Sequence, residues 1–395
     1  MTGLRQVVAV TLLNLRTIPQ RLGSSAVAVL GIAGVVVVLV AVLSIAEGFF
    51  AAMHSAGSPT RALIMRSGSD SEMTSGLGGP ETDIIKQAPG IARDGQRAVA
   101  SAELFVIIDL PKKSTGTDAN VPLRGIEPAA LQVRDEVKIV EGRPLQFGTN
   151  EVVVGRAASR LFSGLDVGSD IKSGQNIWKV VGIFESRGSV AETEIWCDAR
   201  TLQGAYRRGN SFQSVLVKMP SSQSFDELKN WLTSNPQVNV AVRREEEYYA
   251  AQSRALTTVI RTIGFAIAGL MGIGAIFGAI LTMYTAVATR SREIATLRAL
   301  GFNSLAVVTS VLAESLGLAA IGGVLGGLAA YAAFNGYQTS TINFQTFSQV
   351  AFAFRVTPSL LLLGLAYALV MGLVGGLMPA IRAARLPISS ALREL

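Results

Sequence analysis

The sequence predicts a multi-pass α-helical membrane protein, with four transmembrane helices and an inserted α+β extracytoplasmic domain. Three observations predict it. Apolar residues gather in four runs, 26–46, 263–288, 305–334 and 360–377, and a helix of about 20 apolar residues crosses a bilayer. Between the first two runs lies a stretch with the composition of a water-soluble domain, about 200 residues and a normal domain size. Charge is partitioned in the same way. Residues 47–254 hold 25 acidic and 24 basic side chains, a net of −1, so the formal +7 of the chain sits at the ends of the apolar runs.

At those ends Arg5, Arg16, Arg21, Arg290, Arg292, Arg298, Arg382, Arg385 and Arg393 face Glu293, Glu314 and Glu394. This is the positive-inside pattern, and it predicts cytoplasmic N- and C-termini, a cytoplasmic segment at Arg290, and a domain outside. Basic charge confined to membrane flanks also argues against a nucleic-acid partner. With 49% hydrophobic residues the chain is too apolar for an ordinary soluble protein.

Residues 1–25 carry Leu4, Val7, Val8, Leu12 and Leu15 at helical spacing, which predicts a cytoplasmic amphipathic helix running through Pro19 and Gly23 to transmembrane helix 1 at 26–46. A signal peptide cleaved after Ser44 and Ala46 is the alternative. Its apolar core would be shorter than this one, which favours a retained helix.

The domain is expected over 47–254. Short apolar runs at 62–65, 104–108, 152–154, 178–184 and 214–219 read as strands. Residues 67–80, rich in Gly and Ser, read as a mobile loop. Strand, helix and strand then alternate at 215–218, 225–232 and 238–242, which makes the domain α+β. Cys197 is the only cysteine. No internal disulfide can form, and the domain must be held by its own core.

From Glu245 a polar, helix-compatible segment runs without a breaker into transmembrane helix 2 (255–289), predicting one continuous helix. Glu245, Glu246 and Glu247 point in different directions on it and read as a solvated face. His54, just past the first span, reads as exposed or interfacial.

Residues 290–301, RSREIATLRALG, are a charged segment between two hydrophobic ones. As a helix it places Ile294, Leu297 and Leu300 on one side and Arg292 with Thr296 on the other, with Gly301 as its stop. A helix this short needs something to pack on. Its apolar stripe is expected to meet either a partner protein or the lipid headgroups.

Transmembrane helix 3 is expected over 304–335, a loop over 336–357, transmembrane helix 4 over 358–378 and a cytoplasmic tail over 379–395. Gly274 and Gly278, Gly322 and Gly326, Gly323 and Gly327, and Gly372 and Gly376 each stand four apart, a spacing that lets membrane helices approach closely. These glycines are expected to pack helices within the chain or across a dimer. Glu314 is the one acid in the third run, and a structural ion pair with Arg298 is expected ahead of the alternative, a proton-relay role.

The chemistry of catalysis is missing. A P-loop needs Gly followed by Lys, and no such pair occurs, so any ATP that drives this protein binds another chain. One histidine and one cysteine make neither a zinc site nor a Cys-His dyad. No catalytic, cofactor or metal residue is assigned, and the chain is not expected to be an enzyme.

Three matches carry a family resemblance. Residues 291–301, SREIATLRALG, resemble the cytoplasmic coupling segment of the MacB and FtsX-like permeases of ATP-binding cassette systems. Ala313-Glu314-Ser315 followed by Gly322-Gly323 resembles the start of that family's third helix, and 378–395, MPAIRAARLPISSALREL, its C-terminal tail. Residues 141–186, from EGRPLQFGTNEVVVGRAASRLF to WKVVGIFES, resemble its periplasmic core.

The resemblance implies a four-helix permease of the mechanotransmission type, dimeric with itself or a paralogous permease, in the bacterial inner membrane. A separate ABC ATPase would hold ATP and Mg, and a periplasmic adaptor would complete an export or extraction system. Arg290, Arg292, Glu293, Ile294, Leu297, Arg298, Leu300 and Gly301 would form the ATPase-coupling helix over 290–303. Truncating Ile294 and Leu297 is expected to uncouple the ATPase. In having no N-terminal ATPase domain, the chain is closer to the split permeases LolC, LolE and DevC. The alternative that the resemblance leaves open is an FtsX-like signalling scaffold regulating an extracytoplasmic hydrolase.

Overall fold

The computed structural model describes residues 22–387 together with Thr11. The amphipathic helix expected over 1–25 lies outside the described residues up to residue 21, Thr11 apart, as does the tail beyond residue 387. The chain divides into two compact units. One comprises residues 1–47, 258–337 and 354–395; the other, 48–257 and 338–353.

The elements follow in chain order. Helix α1 (Leu22–His54) leads to β1 (Arg61–Arg66), β2 (Leu77–Gly78), α2 (Gly79–Gln87), β3 (Arg93–Asp94), β4 (Arg97–Ala98) and the paired strands β5 (Ala100–Pro111) and β6 (Asp118–Ile126). Next come α3 (Ala130–Val133), β7 (Lys138–Gly142), β8 (Glu151–Gly155), α4 (Arg156–Leu161), β9 (Asp170–Ser173), β10 (Asn176–Glu185), β11 (Ile195–Asp198) and α5 (Ala199–Ala205). The domain closes with β12 (Ser211–Phe212), β13 (Ser214–Lys218), α6 (Ser224–Ser234) and β14 (Val240–Arg244). Helices α7 (Glu245–Ala288), α8 (Ser291–Ala299) and α9 (Ser304–Phe334), strands β15 (Gln338–Ile342) and β16 (Gln349–Ala353), and α10 (Pro358–Ala384) complete it.

In the domain, one sheet runs β14-β1-β13-β5-β6-β11-β8-β10-β7, with β9 beside β10. Its pairs are antiparallel except β10 with β8 and β11 with β6. Both faces are covered. Ala62 and Ile64 enter one core cluster and Leu63 and Met65 another, while Val152 and Val154 part from Val153 in the same way. That is why the strands read as unbroken apolar runs, since alternate side chains leave opposite faces and here each face is buried.

Strand β5 changes neighbour partway along. Ala100 to Glu103 pair with β13, and Leu104 to Pro111 pair with β6. The core divides at the same point: Ala100 and Ala102 belong to the cluster with Ile64, Val215 and Leu228, and Leu104, Val106 and Ile108 to the cluster with Val154, Trp178 and Ile195.

At the changeover sits a buried ion cluster. Arg124 donates to Glu72, Glu103 and Glu194 over 2.7–3.0 Å, and Arg134 donates to both oxygens of Glu103. Burial alone would raise the Glu103 carboxyl; the guanidiniums of Arg134 and then Arg124 outweigh it and hold it below the ordinary carboxylate range. Burial likewise works to lower Arg124, and Glu194, Glu72 and Glu103 outweigh it.

Three expectations change. Residues 67–80 are not a plain loop: they carry a 3-10 turn at Glu72–Thr74 and strand β2, and Glu72 is buried against Arg124. The acidic run at 245–247 is not wholly solvated, because Glu245 is buried and accepts from the Arg61 Nε at 2.5 Å while Glu247 stays exposed. The loop between the last two long helices carries a hairpin, β15 with β16, that packs into the domain. There Ala351 N donates to Thr193 Oγ1 at 3.0 Å, and Asn343 Nδ2 to Gln252 Oε1 at 2.8 Å. His54 is exposed, as expected, and stacks on Phe50.

The other unit is helical. Four described helices, α1, α7, α9 and α10, are long and apolar enough to cross a membrane. Helix α7 is unbroken over 44 residues, about 66 Å at 1.5 Å per residue.

Candidate functional site

The site is built on α8 and on the helix ends that hold it. The apolar residues of α7 end at Ala288, and a turn through Thr289 and Arg290 restarts the chain as α8, with Ile294 N donating to Arg290 O at 3.0 Å. The far end closes as a Schellman motif: Phe302 N reaches Leu297 O and Gly301 N reaches Arg298 O, both at 3.1 Å. Gly301 has φ +90°, the left-handed region in which glycine meets no steric penalty. Asn303 then caps α9, its Oδ1 accepting from Leu305 N.

Three contacts fix α8 on its own unit. Ile294 and Ala295 are buried, Ile294 in a cluster with Met283 and Val287 of α7, Val307 and Val311 of α9, and Ala380 and Ala383 of α10. Arg298 Nη1 donates to Leu386 O at 2.6 Å, just past α10. Arg290 Nη1 lies 3.4 Å from Glu314 Oε2 on α9, with both side chains buried. Beside these contacts a small cleft of ≈ 30 Å³, space on the order of one water molecule, is lined by Met283, Val287, Ile294, Leu297, Val307 and Val311 around the ion pair.

This geometry corrects two expectations. Ile294 does not present an apolar stripe to a partner or to headgroups; it faces inward, because the adjoining helices already supply its apolar cover. Leu297 is half-buried on the cleft. The exposed face carries Arg292, Glu293, Thr296 and Leu300, Leu300 being 72% exposed. Glu314 does form an ion pair, but with Arg290 and not Arg298, whose guanidinium is drawn to the Leu386 carbonyl.

The glycines divide. A side chain on Gly322 or Gly326 would strike the backbone of α1, at Val29 O and Ala33 O, and one on Gly372 or Gly376 would strike Ala319 and Ser315 of α9. Gly323 and Gly327 face Ala368 and Leu361 of α10. Gly274 and Gly278 on α7 are exposed and have nothing of the chain within 4 Å of the position a side chain would take.

Sequence reasoning missed the Leu386 contact, the hairpin and the ion cluster. Charged residues inside strand-like runs, Glu103 in ASAELFVII and Arg124 in VPLRGI, were the available signal for the last, since a lone charge in a buried strand requires a partner.

The model of the family described as MacB-like periplasmic core domain matches residues 25–235, and that described as FtsX-like permease C-terminal matches 265–388. No curated protein matches the chain. Among solved structures, the periplasmic region of MacB from Actinobacillus actinomycetemcomitans is similar at 14% identity, covering 48% of this chain and 90% of that one, with a TM-score of 0.36. The extracellular domain of the noncanonic ABC-type transporter YknZ from Gram-positive bacteria is similar at 16% identity, covering 46% of this chain and 99% of that one, with a TM-score of 0.34.

Proposed function

We propose, for a chain that belongs to the MacB/FtsX-like family of ABC permeases, that it couples ATP hydrolysis by a separate ATPase subunit to movement of its inserted domain, outside the membrane. The observation that carries this is α8: a nine-residue helix seated on three other helices and turning Arg292, Glu293, Thr296 and Leu300 outward. A mixed charged and apolar face on a short, well-anchored helix suits a protein groove. ATP and Mg belong to the partner in this reading.

Helix α7 is the transmitting element. It leaves β14 and runs unbroken to the turn before α8, so a displacement at its end need not be absorbed by a flexible joint. Export or extraction of a substrate with a periplasmic adaptor is the function this motion would serve, in a dimer with itself or a paralogous permease in the bacterial inner membrane, both termini cytoplasmic. Co-purification of the full chain from its host membranes in mild detergent tests the reading. An ATPase of the ABC type should accompany it, with hydrolysis altered by the chain. Isolation of the folded chain with a cell-wall hydrolase and no transported substrate would favour a signalling scaffold instead.

A further inference from the structure

We infer that the groove between α2, the β3–β4 hairpin and the segment after β6 is a binding site for an acidic, extended segment of a partner protein. The inference stands apart from the coupling reading, since every residue lining the groove belongs to the inserted domain.

The groove holds ≈ 510 Å³, within the range of about 300–1,000 Å³ usual for ligand sites. Its two walls belong to different lobes of the sheet. Helix α2 anchors one of them through Ile85, which packs with Ile64 and Val215. Residues 127–132 form the other, leaving β6 and packing through Ala130 against Val153 and Trp196. Lys86 Nζ joins the walls by donating to the Glu127 carboxylate at 2.8 Å. Ala98, Ala100 and Ala129 also line the space, and side chains of a single methyl group leave room that larger ones would fill.

Charge selects the occupant. Lys86, Arg93 and Arg97 reach the groove from α2, β3 and β4 in turn, and Asp94 and Glu127 face them. Both carboxylates are engaged. Glu127 takes Lys86 and the Ala102 N–H, each at 2.8 Å, and Asp94, opposite Arg97 in the hairpin, accepts from Gln132 Nε2 at 3.4 Å. Arg93 reaches only the carbonyl oxygens of Gln96 and Gln87, at 3.3 and 3.4 Å, and Arg97 has no hydrogen-bond or ion-pair partner among the described residues. Two guanidiniums are thus uncommitted, and a guanidinium matches a carboxylate through two parallel hydrogen bonds. The side-chain amides of Gln87, Gln96 and Gln132 line the same groove, and each carries the donor and acceptor pair that a peptide backbone requires. Both arginines are exposed, so binding here is reversible and weakened by salt.

The test uses the full chain in phosphatidylcholine nanodiscs and a rhodamine-labelled hexapeptide of alternating alanine and glutamate, with binding read by fluorescence anisotropy. The same peptide with glutamine in place of glutamate is the control. The acidic peptide should bind saturably and the neutral one about tenfold more weakly, the scale of one charge-assisted contact. Arg93→Gln with Arg97→Gln should weaken the acidic peptide by at least that factor, and Ala129→Trp, which fills the groove and leaves its charges in place, should abolish binding. The arginine changes lie at exposed positions and keep the test decisive if Ala129→Trp does not fold. No saturable binding, equal binding of the two peptides, or undiminished binding in the double-arginine variant or in a folded Ala129→Trp variant would overturn the site. Binding of an oligogalacturonate with none of the acidic peptide would overturn the assignment to a peptide.

Discussion

Asn120 Nδ2 donates to the carbonyl oxygen of Phe347 at 2.7 Å, joining residues 227 apart in sequence. Through this bond the segment between α9 and α10 becomes part of the domain inserted between α1 and α7. Phe347 pays for it with φ +52°, which a residue bearing a side chain rarely adopts. The hairpin is therefore a built attachment and not a loose connection.

Thr193→Val keeps the volume of a fully buried side chain but removes the acceptor of Ala351 N. An orphaned buried donor costs about 1–3 kcal/mol. Hydrogen exchange at Ala351 and along β16 should quicken, with β8 and β10 unchanged; uniform protection in the variant would refute the attachment.

Arg124→Met should be among the most destabilising single changes in the domain, because it leaves Glu72, Glu103 and Glu194 facing one another without their shared cation. The expected loss is about 3–5 kcal/mol. All three tryptophans, Trp178, Trp196 and Trp231, lie in the domain, so intrinsic fluorescence during unfolding reports this loss directly.

The Glu103 carboxyl is held below its ordinary pKa in the folded state. Its contribution is complete above the unfolded value, about 4.3, and is lost as pH falls below that through the lowered folded value. Trp196, whose Nε1 donates to Glu194, should register acid unfolding in that window. With Glu103→Gln, that part of the pH dependence should disappear.

On α8 the inward and outward residues should separate in their effects. Ile294→Ala should lower stability by about 2–5 kcal/mol. Arg292→Glu with Leu300→Ala should leave the unfolding midpoint in place and weaken ATPase binding about tenfold, equivalent to about 1.4 kcal/mol. Equal loss of stability in both would mean that the outward face is not the docking face.

Gly326→Ala would bring a methyl group within 2.6 Å of Ala33 O and should prise α9 from α1, lowering the unfolding midpoint. Gly274→Ala and Gly278→Ala meet nothing of this chain. They should be neutral in the monomer, and a fall in dimer content in either would place the partner copy on that face of α7.

Much of this architecture could be read from patterning. The apolar runs marked the long helices, and 62–65, 152–154 and 178–184 marked strands because both sheet faces are buried. Ile294 was placed correctly on a stripe, yet a helical wheel does not say which neighbour covers the stripe. Glu314 was seen to need a cation, but the choice between Arg290 and Arg298 depends on where the carbonyl of Leu386 falls. The hairpin was missed because QTSTI offers no apolar alternation, its order coming from contacts with residues far away in sequence.

The changeover in β5 bears on how such a domain can diversify. Strands β1 and β14, next in sequence to the long helices α1 and α7, lie on one side of it, and β6 through β11 form the other side around a separate core. That second lobe leaves and re-enters the first through β5 and β13, which are adjacent strands. It is thus an excursion from between two neighbouring strands, tied back by Arg124 on Glu72 and Glu103, so that changes on its outer surface need not shift the register of β1, β13 and β14.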